Sequence, residues 1–192
     1  LSEIVEHTPL ICNSQLSAEF GANISLKRED LQPIRSYKIR GALNRMVGLN
    51  DEERSKGVVA ASAGNHSQAV AYSCNYLGIP GVIFMPQTTP RQKIDATSAF
   101  GNGLVRLNLV GDDFDEAYAA SLDYAKTHGL TFVHPFDDPK VIAGQGTVGL
   151  EVFSDAKQHI DYLLVPIGGG GLISGIGKVA SRLSPDTTLI GV

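Results

Sequence analysis

Short apolar runs alternate with longer stretches of helical period along most of this chain, and no other feature of the sequence constrains the fold as much. An apolar run buried on both faces needs helices on each side, so βα repeats of this kind assemble into a parallel sheet flanked by helices, an α/β fold. The pattern predicts strands at Ile24–Lys27, Gly57–Ala61, Gly81–Met85, Leu104–Leu109, Thr131–His134 and Tyr162–Pro166, with a last one starting at Thr188. Between them it predicts helices at Tyr37–Gly48, Asn65–Leu77, Pro90–Phe100, Phe114–Thr127, Gly146–Phe153 and Leu172–Leu183. Pro90 suits a first helical turn, and Asp112, Asp113 and Asp115 put negative charge at the positive end of a helix dipole. The final strand runs to Val192. A strand inside a parallel sheet ordinarily returns through a further helix, so the chain is expected to be a fragment.

Composition narrows the function classes. The 192 residues are 43% hydrophobic and 19% charged, which supplies a core. Sixteen Lys and Arg against twenty Asp and Glu leave a formal charge of −4, which argues against nucleic acid or an anionic membrane surface as partner. Cys12 and Cys74 have no second Cys or His at zinc-site spacing, so neither a disulfide framework nor a metal is expected. No apolar run approaches the ~20 residues of a transmembrane helix, and the opening LSEIVEHTPL lacks a signal-peptide pattern; a cytoplasmic location is the expectation.

Five segments depart from what a core or a solvated face asks for. Lys38, in Ser36-Tyr37-Lys38-Ile39-Arg40-Gly41, stands at a helix start beside an aromatic. It is either a surface Lys lying along an apolar face or an amine held in a pocket, where desolvation frees it to form a Schiff base. Ala61 to Gln68 joins a strand to a helix through small residues. Backbone amides and the side chains of Asn65, His66 and Gln68 suit an anionic ligand there, the alternative being a capped turn with Ser62 or Asn65 as N-cap. Gly168 to Gly171, before Leu172, also joins strand to helix, and four glycines imply close backbone approach or positive φ, as in an amide nest around a phosphate. It is no Walker loop, and the GxGxxG-like runs from Gly144 and Gly175 do not follow a strand, so no dinucleotide site is expected. His134 to Asp138, leading to Gly144-Gln145-Gly146-Thr147, reads as a polar turn or as a hinge between lobes. Lys27-Arg28-Glu29-Asp30 reads as a solvated strand end or as a buried ion-pair network.

Taken in order, Leu26–Pro33, Ser36–Ala42, Ser62–Gln68, His134–Asp138, Gly144–Gly146 and Gly168–Leu172 resemble the pyridoxal-phosphate enzymes of fold type II, and among them the threonine dehydratases. The resemblance spans nearly the whole chain. It implies a tryptophan synthase β-like fold of two lobes, each a mainly parallel sheet flanked by helices. Residues 1–38 and 139–192 would form a large lobe, truncated at its carboxyl end, and residues 39–138 a small inserted lobe. Pyridoxal 5′-phosphate would be carried by Lys38, its phosphate cradled by Gly168, Gly169, Gly170, Gly171 and Leu172, and its 3′-oxygen partnered by Asn65. Ser62, Ala63, Gly64, Asn65 and His66 would take the substrate carboxylate. The implied reaction converts L-threonine or L-serine to a 2-oxo acid and ammonia, in isoleucine biosynthesis, by a homo-oligomer. Three features qualify the match. Arg35 stands where many members have Gly, although a sub-group of dehydratases has Arg. The stretch Gly101–Asp115 looks like the shorter biosynthetic dehydratases. The Ser that partners the pyridine nitrogen in the family has no counterpart in these residues.

Two rival functions follow from the same residues. A serine racemase or β-replacement enzyme would share the fold, but the position that racemases fill with Ser is Ala63, which has no proton to give. A cofactor-free binding module is the alternative of a different class.

Overall fold

The computed structural model describes residues 4–192; residues 1–3 of the segment expected in the large lobe lie outside the described range. Four parallel strands, β3 (Val58–Ala61), β4 (Gly81–Met85), β5 (Val105–Leu109) and β6 (Thr131–Phe132), form one sheet in the order β5-β4-β3-β6. The register runs from Val58 opposite Gly81 to Ala61 opposite Phe84, and from Gly81 opposite Val105 to Met85 opposite Leu109. All of β3 is buried, because both faces of the sheet are covered. Val58 and Ala60 pack with α4 (Asn65–Leu77), α5 (Arg91–Gly101) and α2 (Lys38–Val47), whereas Val59 and Ala61 pack with α6 (Phe114–His128). The period of two in a continuous apolar run thus sorts alternate side chains into two separate cores.

A second group of elements stands beside this sheet. β7 (Tyr162–Val165) and β8 (Thr188–Gly191) pair in parallel, with α7 (Pro139–Asp155) and α8 (Gly171–Leu183) packed around Val148, Val152, Val165 and Ile176. β1 (Leu10–Cys12) and β2 (Ser25–Lys27) form an antiparallel pair around α1 (Ser14–Phe20). α2 lies against both α4 and α7 and so joins the two groups.

Glycines set how closely these helices approach. A Cβ on Gly144 would strike the Arg40 carbonyl, and one on Gly175 would sit 2.6 Å from the Gly146 amide. His134–Asp138 is the polar turn of the first reading, and the Gly144–Thr147 segment to which it leads is packed helix. The segment is the interior of α7, which begins at Pro139 rather than Gly146, because Asp138 accepts the amides of Lys140 and Val141 at 2.7 and 3.1 Å and Pro139 occupies the first turn. Periodicity missed this start because glycines on the packing face look like loop residues.

Other boundaries differ in instructive ways. The strand expected at Thr131–His134 ends at Phe132, where His134 turns the chain away. α3 (Asp51–Lys56) was not expected, although Asn50 and Glu53 form a reciprocal capping box legible in the sequence. Arg35 has φ +59° and an exposed side chain. The backbone there is left-handed, a conformation that glycine adopts without steric cost.

The Lys27–Asp30 cluster divides between its two readings. Arg28 and Asp30 pair on the surface at 2.7 Å. Lys27 and Glu29 belong to a buried network centred on Arg40, whose guanidinium is 1% exposed and reaches Glu29 at 2.7 Å, Glu151 at 2.6 Å and Thr147 Oγ1 at 3.0 Å. Lys27 adds a second cation 2.7 Å from Glu151. Burial alone raises the Glu151 pKa, but hydrogen bonds from Arg40 and Lys27 outweigh it and hold the carboxyl below its ordinary value. Among the described residues no helix is long and apolar enough to cross a membrane.

Candidate active site

Lys38 begins α2 two residues before the buried Arg40, so the ion network fixes the helix end that carries it. Its Nζ donates to the Pro135 carbonyl at 2.6 Å and lies 5.6 Å from the centre of the Tyr37 ring. Burial pushes its pKa down, since the charged form loses solvent. The side chain is half-buried in a cavity and does not lie along the surface; this is the state in which an amine becomes nucleophilic.

Gly168–Gly171 lies across that cavity, between β7 and α8. Gly170 has φ +83°, a left-handed backbone that side chains rarely adopt. A Cβ on Gly169 would collide with the Phe136 ring, and one on Gly171 would sit 2.7 Å from the Phe136 carbonyl. At Gly168 and Gly170, by contrast, a Cβ would meet open space. Two of the four glycines thus admit Phe136, and the other two leave a hollow bounded by backbone. The first amides of α8 have no intrahelical acceptors, so they and the helix dipole suit an anion in that hollow. Leu172 contributes only backbone here, because its side chain belongs to the α7–α8 core. The cavity measures about 200 Å³ and is lined by Tyr37, Lys38, Pro135, Phe136, Gln145 and Pro166 besides the glycine loop. Gln145 is 1% exposed, and its Oε1 has no hydrogen-bond partner among the described residues. A larger, shallower groove of about 600 Å³ at the opposite end of the sheet, near Lys56, Arg106 and Tyr124, has no run of glycines at a helix start; volume does not select the site.

The Ser62–His66 loop follows β3 and starts α4. Neither Ser62 nor Asn65 caps the helix: the N-cap is Gly64, with no side-chain cap, while Ser62 Oγ accepts the Gly64 amide at 3.1 Å. Ser62, Ala63 and Gly64 are half-buried, and Asn65 is exposed at the first helical position. His66 points inward. Its Nε2 lies 2.8 Å from the Val133 carbonyl, which requires the proton on that nitrogen, and burial drives its pKa down to about 3. The imidazole is a neutral structural group, so only the backbone of His66 is left for a ligand. This loop does not line the 200 Å³ cavity. The two are joined by the chain that follows β6: the Val133 carbonyl takes His66, and the Pro135 carbonyl takes Lys38.

Sequence reasoning missed Tyr37, Pro135, Phe136 and Gln145 as cavity walls. Phe136 could have been suspected, since an apolar aromatic inside a polar turn needs something to pack on. Gln145 gave no signal, because its burial depends on the glycines beside it.

The pyridoxal-phosphate dependent enzyme family matches residues 1–192, and the chain belongs to it. It is 52% identical over 191 residues to a biosynthetic L-threonine dehydratase from Halalkalibacterium halodurans, covering all of this chain and 46% of that protein. The processed threonine deaminase isoform 2 of Solanum lycopersicum superposes with a TM-score of 0.94 at 43% identity, over 98% of this chain and 51% of that one. Maize serine racemase gives 0.93 at 33% identity, over 99% and 56%. These neighbours share the expected fold type II architecture. The chain spans about half the length of the curated relatives it matches.

The residues present fit such a cofactor. A half-buried Lys with lowered pKa faces a side-chain-free hollow at a helix start, and the Gln145 oxygen lacks a partner at its edge.

Proposed function

We propose that the protein to which this chain belongs converts L-threonine, and L-serine more slowly, to 2-oxobutanoate or pyruvate and ammonia, as the biosynthetic dehydratases do. The observation that carries this reading is the pocketed Lys38 amine opposite the Gly168–Gly171 hollow. It is supported by the names of the relatives and by their identity to the whole chain. In the same reading, residues 1–38 and 139–192 belong to the large lobe and 39–138 to the small one.

Each residue then has a task. The amides of Gly168–Leu172 would hold the phosphate of pyridoxal 5′-phosphate, and Lys38 Nζ would carry the cofactor. Ser62, Ala63, Gly64, Asn65 and the His66 backbone bind the substrate carboxylate, and Asn65 also meets the cofactor's 3′-oxygen. The bound cofactor supplies an electron sink for the substrate's α-carbon. Lys38 Nζ, released as a neutral amine, takes the α-proton; its lowered pKa favours that protonation state. The β-hydroxyl leaves as water with the proton that Lys38 Nζ has taken, and the released enamine takes water back to give the oxo acid and ammonia, so no co-reactant is needed. Racemisation is disfavoured because Ala63 offers no proton on the second face.

The test is 2-oxobutanoate formation by the full-length protein loaded with pyridoxal phosphate. Lys38→Ala should abolish turnover and the visible absorption of the loaded protein. D-serine accumulating from L-serine, with threonine untouched, would replace this reading with the racemase.

A further inference from the structure

The His134–Asp138 turn is built around one side chain. His134 Nδ1 accepts two backbone amides, from Phe136 at 3.2 Å and Asp137 at 2.7 Å. An imidazole nitrogen that accepts two N–H groups carries no proton, so His134 is fixed in the tautomer protonated at Nε2. Its ring is held edge-on to Phe136 at 4.7 Å, with Phe132 and Tyr118 at 6.0 and 6.2 Å. What the turn presents is the site itself. Between the histidine and the two amides that donate to it sits the Pro135 carbonyl that receives Lys38 Nζ. Phe136, whose amide His134 binds, covers Gly169 and Gly171 closely enough to exclude a Cβ from either. The turn ends in Asp138, which caps α7 and pairs with Arg45 of α2 at 3.1 Å.

From this geometry we infer that His134 is a positioning residue: by accepting the Phe136 and Asp137 amides it holds the turn that seats the Lys38 amine and supports the glycine loop at one spacing. This deepens the function proposed above and rests on it for the meaning of Lys38. His134 touches neither Lys38 nor the glycines through a hydrogen bond of its own, so it acts through Pro135 and Phe136. Without its acceptor, the Phe136 and Asp137 amides lose their partner at a half-buried turn and the Pro135 carbonyl is free to rotate away. Lys38 would then lose its seat, and the hollow would lose the ring that shapes two of its four glycines.

The experiment compares His134→Phe, which keeps an aromatic ring but has no acceptor, with His134→Asn, whose short side-chain oxygen can accept amides two and three residues on. In the cofactor-free full-length protein, the Asp137 amide of His134→Phe should exchange its hydrogen at least about tenfold faster than wild type, and His134→Asn should restore much of the protection. On adding pyridoxal phosphate, the rise of visible absorption should be slower in His134→Phe and largely recovered in His134→Asn. With threonine, kcat should fall while KM changes little. Asp137 exchange as slow in His134→Phe as in wild type overturns the inference whatever the activity. If wild type captures cofactor but does not consume threonine, the proposed reaction fails while the exchange and capture measurements still decide the role of His134.

Discussion

Two loops in this molecule do the same topological job with opposite chemistry. Each leaves the carboxyl end of a parallel strand and runs into the first turn of a helix: Ser62–His66 from β3 into α4, and Pro166–Gly171 from β7 into α8. In the first, side chains are kept and partly committed, Ser62 to the Gly64 amide and His66 to the Val133 carbonyl. In the second, four successive residues have no side chain; one is left-handed, two are pressed against Phe136, and two border open space. A loop that must distinguish one small polar ligand from another needs side-chain donors, whereas a loop that holds a compact dianion needs amides and room. The first arrangement costs specificity little in backbone entropy; the second concentrates that cost in four glycines.

The largest expected effect removes the support that both loops share. Arg40→Met would leave Glu29 and Glu151 facing each other without their buried cation, and should cost about 3–5 kcal/mol in denaturant unfolding, with both loops failing together. A loss under about 1 kcal/mol would mean that Lys27 alone neutralises the pair.

A matched pair separates backbone strain from the cradle. Gly170 and Gly103 have φ of +83° and +82°, and at both a Cβ meets open space. Valine at either position should therefore lower stability by a similar amount, about 1–2 kcal/mol, read as a fall in Tm. Only Gly170→Val should also weaken pyridoxal-phosphate binding, by roughly 100-fold, because strain and crowding act on the proposed phosphate cradle. Equal affinities in the two variants would move the phosphate elsewhere.

Acid should act on the first loop through its own histidine, whereas the second has no titratable side chain and would feel acid only through His134, whose turn supports it. His66 is driven to about 3 by burial, against an unfolded value near 6.5. Between those values the unfolded chain binds more protons, so stability contributed by neutral His66 is present above about pH 6.5 and is lost as pH falls towards 3. Urea midpoints should fall by an amount equivalent to about 1.5 kcal/mol between pH 6.5 and 5, and His66→Gln should flatten that slope. The smallest effects belong to the exposed end of the first loop. Asn65→Ala should weaken cofactor binding by about tenfold, and Ser62→Ala should cost about 0.5–1 kcal/mol of stability through the lost Gly64 contact. Reversal of that order would mean that Asn65 serves only the helix.

The alternation of apolar runs and helical stretches was sufficient for the parallel sheet: β4 and α4 fall at the expected residues, and most other elements within a residue or two. The glycine loop was legible for a related reason, since four glycines in a row are locally unfavourable unless close approach requires them, whereas Ser36–Gly41 alone left Lys38 open between a surface and a pocketed amine and only the resemblance singled it out. What the sequence determined by itself was therefore whatever rests on short-range pattern, including the strand period, the Asp-rich start of α6 and the cost of glycine. Tertiary structure alone decided that α7 extends back from Gly146 through Gly144 to Pro139, that His66 turns inward while Asn65 turns out, and that Phe136, Gln145 and the Pro135 carbonyl wall the cavity. Each of those outcomes depends on a contact between residues far apart in the chain, such as Arg40 with Gly144 or Lys38 with Pro135. A one-dimensional pattern carries the price of a conformation but not the distant surface against which it is stabilised.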